Sequence, residues 1–496
     1  MSAATSSQNL LLPCESEKLH LSGAIQSFGA LLRLDASTLQ VTHVSANLIE
    51  ILGPSAEGLL GQSINASGWL TDQALKKLPP QPGNFLTLPR ITSGPGGLVD
   101  AMVIRADNAI LVELECNGQC AEPIAMQQFQ RPLLTVPYND DELRQHHNTL
   151  LAAFRAIAGY DRAMLYRFHD DWSGEVIAEA TTQELGSYLG LHFPASDIPA
   201  IARKLYTLNP VRLIPDIKAT QVPVVSLDES IPDLTWAGLR SVSPVHLQYL
   251  EHMGIGASFS VPIRMAGRLW GLVACHHLSP RRLSFDQRNA CVSLTNAYAL
   301  GLTSHFASRR LQAIDSLDRR VDHVLATLAK YDDPLDGIEP NATLLMNVLD
   351  AQGFAMALAD DVVIAGEGPD MDGMSLIDNW FKNEHKEAIA TTNHLEDLFP
   401  GQPQILDVAS GLIAIKARSQ RSGWVRFYWF RPAEPQEVAW AGNPNKPVIE
   451  NFGVTMLSPR RSFEKWVEIK TGYSRPWNNE EKMTAAKFRN TLLRWL

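Results

Sequence analysis

Residues 286–330 contain no proline and a single glycine, Gly301, so nothing in this stretch stops an α-helix from running its whole length. Within it Ile314, Leu317, Val321, Val324 and Leu328 recur at steps of 3, 4, 3 and 4 and share one stripe. That stripe fits equally a face packed on the chain's own domains and the seam of a parallel dimer. A helix of this length reads as a connector. The chain around it, at 496 residues, is too long for one core, so two to four domains are expected.

Ahead of the helix the pattern changes twice. Residues 30–115 alternate short strands with turns, including Leu31 to Asp35, Val41 to Val44 and an alternation of Leu and Glu up to Glu115. The turn chemistry of 79–83 (Pro-Pro-Gln-Pro-Gly) and 94–97 (Gly-Pro-Gly-Gly) punctuates them, which predicts a small mixed α/β domain. From about Tyr138 an acidic start opens a helix over 139–158, followed by a strand over 162–168. Residues 257–264 and 269–277, joined at Ala266-Gly267, form a predicted hairpin, and strands alternating with helices imply a sheet flanked by helices. After Tyr331-Asp332-Asp333-Pro334 a third domain begins, with strands near 354–358, 411–417 and 423–430. A polar, Pro/Gly-rich excursion over 431–461 is longer than most connections in compact domains, and such loops are usually functional. A last helical stretch covers 480–495, and no regular internal repeat is found.

Several classes of protein are disfavoured at this stage. The net charge of −10 is spread over interspersed acids and bases, without the basic stripe that nucleic acid requires. No uninterrupted apolar run reaches spanning length, and Leu10 to Leu12 is too short for a signal segment, so a cytoplasmic, non-membrane protein is expected. The five cysteines, Cys14, Cys116, Cys120, Cys275 and Cys291, show no CxxC spacing and are expected to be unpaired.

Residues 188–199 read Tyr-Leu-Gly-Leu-His-Phe-Pro-Ala-Ser-Asp-Ile-Pro, and Pro194 and Pro199 keep the intervening backbone out of regular helix or central strand. On the residues alone, Asp197 is first a helix-start cap for Ala200 onward. Further on come Tyr206, Arg212, Arg240, Ser243, His246, Tyr249, Ser258, Ser260 and Cys275-His276-His277. Ser258 and Ser260 share one face of a strand, polar where a buried strand is normally apolar, and are expected to line a polar cavity. Zinc on His246, His276 and His277 lacks any motif spacing and is not expected.

Pro-Ala-Ser-Asp-Ile-Pro at 194–199, Leu-Arg-Ser-Val-Ser-Pro-Val-His-Leu-Gln-Tyr-Leu at 239–250 and Leu-Trp-Gly-Leu-Val-Ala-Cys-His-His at 269–277 resemble the chromophore-domain signatures of phytochromes. Trp440-Ala441-Gly442 and Pro459-Arg460-Arg461-Ser462-Phe463 are similar to the two marks of the phytochrome tongue. The resemblance implies a mixed α+β fold of sequential PAS, GAF and PHY sensor domains with a knotted PAS–GAF junction. Their expected extents are 1–30 for the attachment segment, 31–130 for PAS, 131–305 for GAF and 306–496 for PHY. The tongue is expected at about 424–467, with the start of an output connector helix at the end.

Cys14, in Cys-Glu-Ser-Glu-Lys-Leu-His-Leu-Ser-Gly, resembles the N-terminal attachment segment of bacteriophytochromes, where a thioether forms with the A-ring vinyl group of biliverdin IXα. Plant and cyanobacterial phytochromes attach a more reduced bilin just before the pocket histidine, where this chain has Val245, so biliverdin is the expected cofactor. One departure stands beside it: the family's Ile-Gln-Pro-His-Gly is here Ile25-Gln26-Ser27-Phe28-Gly29.

The resemblance implies a red/far-red photoreceptor. Arg212 and Arg240, with Ser243, Ser258 and Ser260, would meet the two propionates. The Asp197 carbonyl, in the Asp197-Ile198-Pro199 run, would face the ring nitrogens beside a stacking His246, and its carboxylate would pair with Arg460 near Ser462. Tyr166, Phe193, Tyr206 and Tyr249 would surround the D ring, with His276 on its carbonyl. The expected resting form is the red-absorbing 15Z state, because Leu191 and Ala274 offer no hydrogen bonds to an isomerised ring. A homodimer through the long helices is also implied. So are an output domain, most often a histidine kinase, and a response regulator acting with a longer parent protein. No P-loop or ATP-binding Gly-rich segment is found, so no catalysis is expected of this chain. The competing reading is a PAS/GAF sensor that binds a small molecule reversibly, without light.

Overall fold

The computed structural model describes residues 17–116, 126–182, 185–332, 334–359, 361–419, 423–444, 448–451, 454–457 and 462–492; Cys14 and Arg460 lie outside them. It divides into two compact units, Met1–His305 with Ala439–Trp466, and Phe306–Val438 with Val467–Leu496. Among the described residues, no helix is long and apolar enough to cross a membrane.

Up to His277 the first unit builds two sheets. Strands β1 (Ala24–Gln26), β2 (Ala30–Asp35), β3 (Val41–Ser45), β4 (Phe85–Gly94), β5 (Gly97–Arg105) and β6 (Ala109–Cys116) come first in the chain. They are followed by β7 (Arg162–Phe168), β8 (Gly174–Thr181), β9 (His192–Phe193), β10 (Arg212–Ile214), β11 (Gln221–Ser226), β12 (Ala257–Met265) and β13 (Arg268–His277). The first sheet runs β1-β11-β3-β2-β6-β5-β4, so a strand from the middle of the chain completes a sheet built from its beginning. The second orders β10-β12-β13-β7-β8-β9, and Trp440 pairs in parallel with His192 at its edge.

The Leu/Glu alternation of β6 would ordinarily mark a strand with one wet face. Here both faces are buried, because later residues meet the carboxylates. Glu113 accepts the Leu239 backbone N–H at 2.9 Å, and both oxygens of Glu115 accept from Arg288 Nη2 at 2.7 Å.

Helix α1 (Asp140–Ala158) starts on Asn139, whose side chain accepts the Glu142 N–H while Glu142 accepts the Tyr138 N–H. It ends on Gly159, left-handed at φ 64°. Its apolar face, Leu150, Leu151, Phe154 and Ile157, packs with Phe259 and Val261 of β12 in one core. The β12–β13 turn places Ala266 and Gly267 both at positive φ, the backbone that a two-residue hairpin of matching twist demands. Helices α2 (Ala200–Leu208) and α3 (Pro244–His252) flank this sheet.

Helix α4 (Phe285–Leu328) gives Leu294, Tyr298 and Leu302 to the core of the first unit and Val321, Val324 and Leu328 to that of the second. Three residues of the predicted stripe are therefore committed to their own domain; Ile314 is half-buried and the Leu317 side chain lies outside the described residues. The second unit is a five-stranded antiparallel sheet, β14 (Gly353–Leu358), β15 (Asp361–Gly366), β16 (Ile389–Thr392), β17 (Gly411–Ser419) and β18 (Gly423–Arg431), in the order β15-β14-β18-β17-β16. Helix α5 (Asn479–Leu492) packs Ala485, Phe488 and Leu492 into the same core. The excursion after β18 carries strands of its own, among them the hairpin Val448–Asn451 with Val454–Leu457.

Candidate ligand pocket

A cavity with about 1690 Å³ of empty space, part of it open to solvent, lies between the second sheet and helices α2 and α3. Three contiguous segments supply most of its wall. Pro194 to Pro199 forms a single 3-10 turn, with the Asp197 N–H donating to the Pro194 carbonyl at 3.0 Å. Helix α2 begins on Pro199 without a side-chain cap, which corrects the reading of Asp197 as a helix cap. Its carboxylate Oδ2 instead accepts the Tyr249 hydroxyl at 3.2 Å from across the cavity. The second segment, 239–250, contributes Arg240, Ser243, His246 and Tyr249, and the third is the hairpin, whose register sets Ser258 opposite His276 and Ser260 opposite Ala274.

Every pocket residue anticipated from sequence, apart from Cys14, borders this cavity: Tyr166, Phe193, Asp197, Ile198, Pro199, Tyr206, Arg212, Arg240, Ser243, His246, Tyr249, Ser258, Ser260 and His276. Tyr166 and Phe193 meet at 5.9 Å in one aromatic cluster, with Tyr206 packed beside it, whereas Tyr249 lies apart, stacked on His246 at 6.0 Å. Tyr206 and Ser260 share a hydrogen bond of 2.8 Å. Ser243 donates to Glu17 at 3.0 Å, so the N-terminal segment enters the described structure at the cavity. Ser462 is exposed, its hydroxyl accepting the Glu464 N–H; the next residue, Phe463, packs edge-on against Tyr249 at 5.1 Å.

The electrostatics suit an anion. Arg212 donates to the carbonyls of Arg240 and Ser241 at 2.8 Å, and Arg240 to those of Leu234 and Thr235 at 3.3 Å. Burial pushes the Arg212 guanidinium down to about 10 and that of Arg240 to about 9, the latter also through the charge of Arg212. Both remain cations at neutral pH on neutral acceptors, Arg240 buried and Arg212 half-buried, a state that a carboxylate relieves.

The histidines behave oppositely. Burial, then the nearby Arg212, takes His246 down to about 4; burial, then Arg162 and His246, takes His276 to about 3. Both rings are neutral at pH 7, and the buried Nδ1 of His276 has no hydrogen-bond partner among the described residues. His277, on the opposite face of β13, points away and pairs with Asp161 at 2.6 Å. The three histidines weighed for zinc thus do not converge.

Paired guanidiniums, neutral imidazoles with unused hydrogen-bonding capacity and an aromatic wall define a pocket for a conjugated ligand bearing carboxylates. Comparison with known proteins places the chain in a family. Residues 14–117 match the family model described as PAS fold, 143–300 that of the GAF domain and 317–496 that of the phytochrome region. Cyanobacterial phytochrome B of Nostoc sp. is 34% identical over 97% of this chain and 65% of its own length. The bacteriophytochrome of Xanthomonas campestris pv. campestris is 31% identical over 96% of this chain and 77% of its own. The crystal structure of a bacteriophytochrome from R. palustris superposes with a TM-score of 0.83 at 30% identity, covering 98% of this chain and 99% of that one. The photosensory core module of a Stigmatella aurantiaca phytochrome gives 0.79 at 30% identity, covering 97% of each.

The fold is thus that of a PAS–GAF–PHY photosensory module. The chain belongs to the phytochrome family of red/far-red photoreceptors. It spans 65% and 64% of the length of the two Nostoc phytochromes that it matches.

Proposed function

We propose that this module binds biliverdin IXα covalently through Cys14 and converts red and far-red light into a conformational signal. The observation that carries the reading is the pair of guanidiniums, the buried Arg240 and the half-buried Arg212, in one cavity with the neutral His246 and His276. Glu17, three residues beyond Cys14, lines that cavity. Three residues of chain span at most about 10–11 Å, which keeps the thiol within reach of the pocket.

In this reading Arg212 and Arg240, with Ser243, Ser258 and Ser260, bind the propionates. His246 and the carbonyl of Asp197, in the Asp197-Ile198-Pro199 turn, accept from the ring N–H groups. Tyr166, Phe193, Tyr206 and Tyr249 enclose the far end, where the unpartnered His276 Nδ1 supplies a hydrogen bond. The chromophore supplies the light-driven Z/E isomerisation.

Signalling then runs through Asp197. Phe463 already packs on Tyr249, the donor to Asp197, and Arg460 precedes Phe463 by only three residues. An Arg460–Asp197 pair, shielded by the 424–467 tongue with Ser462 at its base, exists in one photostate and not the other. Exposed Leu300 and Leu311 on α4 stand eleven residues apart, three helical turns, and suit a homodimer seam. We further infer that the signal passes to an output domain with a response regulator as its partner, and that the protein works in the cytoplasm.

The test is to mix the purified chain with biliverdin, denature it, and stain the gel with zinc. A fluorescent band is expected from the wild type and none from Cys14→Ser, which should still bind biliverdin reversibly through the GAF contacts. Persistent fluorescence in Cys14→Ser would move the attachment elsewhere, and no binding by either protein would favour the metabolite-sensor reading.

A further inference from the structure

Away from the cavity, the solvent side of the second sheet carries an arrangement that the photoreceptor reading leaves unused. Glu175 on β8 is register-paired with Arg167 on β7 and with His192 on β9, so these three side chains stand in a row across the sheet. His169 lies two residues past Arg167, on the same face. It heads a tight turn in which its N–H donates to the Ser173 carbonyl at 2.8 Å, Trp172 takes a φ of 65° and Asp171 caps Ser173. The turn brings His169 Nε2 to 3.3 Å from Glu175 Oε2, and the rings of His169 and His192 stack at 5.3 Å. One ligand atom from each of His169, Glu175 and His192 lies within 4.8 Å of the other two, and all three side chains are half-buried.

We propose that His169, Glu175 and His192 form a binding site for one zinc ion. Tetrahedral zinc with bonds of about 2.0–2.1 Å needs ligand atoms roughly 3.3 Å apart. The His169–Glu175 edge already has that length, and the His192 ring closes the remainder by rotating out of its stack. Two imidazoles and one carboxylate match a borderline divalent ion and leave a fourth position for water. Magnesium, which prefers an all-oxygen shell, does not fit.

The site also has a place in the fold. His192 is the residue with which Trp440 pairs, its ring 5.8 Å from that indole, so zinc would fix the strand edge on which residues 439–441 dock. Arg167 opposes the ion, because its exposed guanidinium is the cross-strand neighbour of Glu175.

Equilibrium dialysis of the chain, without added chromophore, against micromolar Zn²⁺ at pH 7.5 tests this. The wild type should take up one equivalent. His169→Gln and Glu175→Gln should each weaken uptake at least about tenfold, by analogy with the loss of supporting residues at metal sites. Arg167→Gln, which changes only an exposed side chain, should tighten it about twofold, as expected for one like charge near the surface. Millimolar Mg²⁺ should not compete. The proposal is overturned if the wild type binds less than one equivalent, if both ligand variants bind as the wild type does, if Arg167→Gln weakens binding, or if Mg²⁺ displaces the zinc.

Discussion

Glu113→Gln isolates the energetic consequence of burying a carboxyl at the junction of the two sheets. The side chain is 1% exposed and accepts the Leu239 N–H at 2.9 Å. Burial pushes its carboxyl up to about 7 from an ordinary value of 4.5; the Leu239 hydrogen bond opposes the rise, Glu115 adds to it and Arg288 offsets part. The folded chain therefore holds this proton more tightly than the unfolded chain does. The corresponding stabilisation is fully present below pH 4.5 and is lost as the pH rises through 7. At ~1.4 kcal/mol per pH unit, the gap amounts to about 3 kcal/mol. Gln keeps the acceptor for Leu239 and cannot ionise. Glu113→Gln should exceed the wild type by no more than about 1 kcal/mol at pH 5 and by about 3 kcal/mol at pH 8.5, the latter roughly 5 °C in the melting of the first unit. Circular dichroism melts at pH 5, 7 and 8.5 provide the measurement. A variant less stable than the wild type at pH 8.5, or one with an unchanged pH slope, would refute the reasoning.

The other predictions concern the pocket. Asp197→Ala and Arg460→Ala should each reduce formation of the far-red-absorbing state, and the double variant should fall short of their sum; additive effects on yield and thermal reversion would remove the pairing. A Cβ added at Gly174 would fall inside the van der Waals shell of the Tyr166 ring, so Gly174→Ala should displace that ring at a cost of about 1–3 kcal/mol. Photoconversion yield should then change while zinc-stained attachment persists, and an unaltered yield would show that Tyr166 does not gate the isomerising ring. After red illumination the assembled chain should return in darkness to the red-absorbing spectrum, because Leu191 and Ala274 leave an isomerised ring without partners, a deficit of about 1–3 kcal/mol. Spontaneous dark conversion in the opposite direction would contradict it.

What could be read from sequence was local. The three motifs at 194–199, 239–250 and 269–277 each fold as one turn, one helix start and one strand, so their side chains reach the cavity together. The Ser258/Ser260 alternation had a physical meaning of its own, since period 2 turned both hydroxyls to the cavity. Contacts made by register were not legible. Nothing in the spacing of His169, Glu175 and His192 announces that β8 aligns the last two and that a five-residue turn returns the first. Likewise the Leu/Glu alternation of β6 is indistinguishable in sequence from a half-wet strand, because Leu239 and Arg288, which satisfy its carboxylates, lie more than a hundred residues away.

Those distant partners explain how the first sheet, which contributes no strand residue to the cavity wall, still supports the pocket. The Gly238–Ser241 segment supplies Arg240 and the carbonyls that hold Arg212. It is gripped from two sides. Glu113 of the first sheet takes its Leu239 N–H. On the other side β1 bridges Ile25 to Arg240, Gln26 N–H donates to the Leu239 carbonyl at 2.8 Å, and Ser241 N–H donates to the Ala24 carbonyl at 3.1 Å. The same β1 pairs along its other edge with β11, so the N-terminal strand lies between two segments of the domain that forms the cavity. A strand held on both edges cannot slide without breaking hydrogen bonds to each, and each broken buried bond costs about 1–3 kcal/mol. The segment that begins at Glu17, on the cavity wall, is thereby kept in register with Arg240, and the first sheet acts as the frame that sets the pocket's charge.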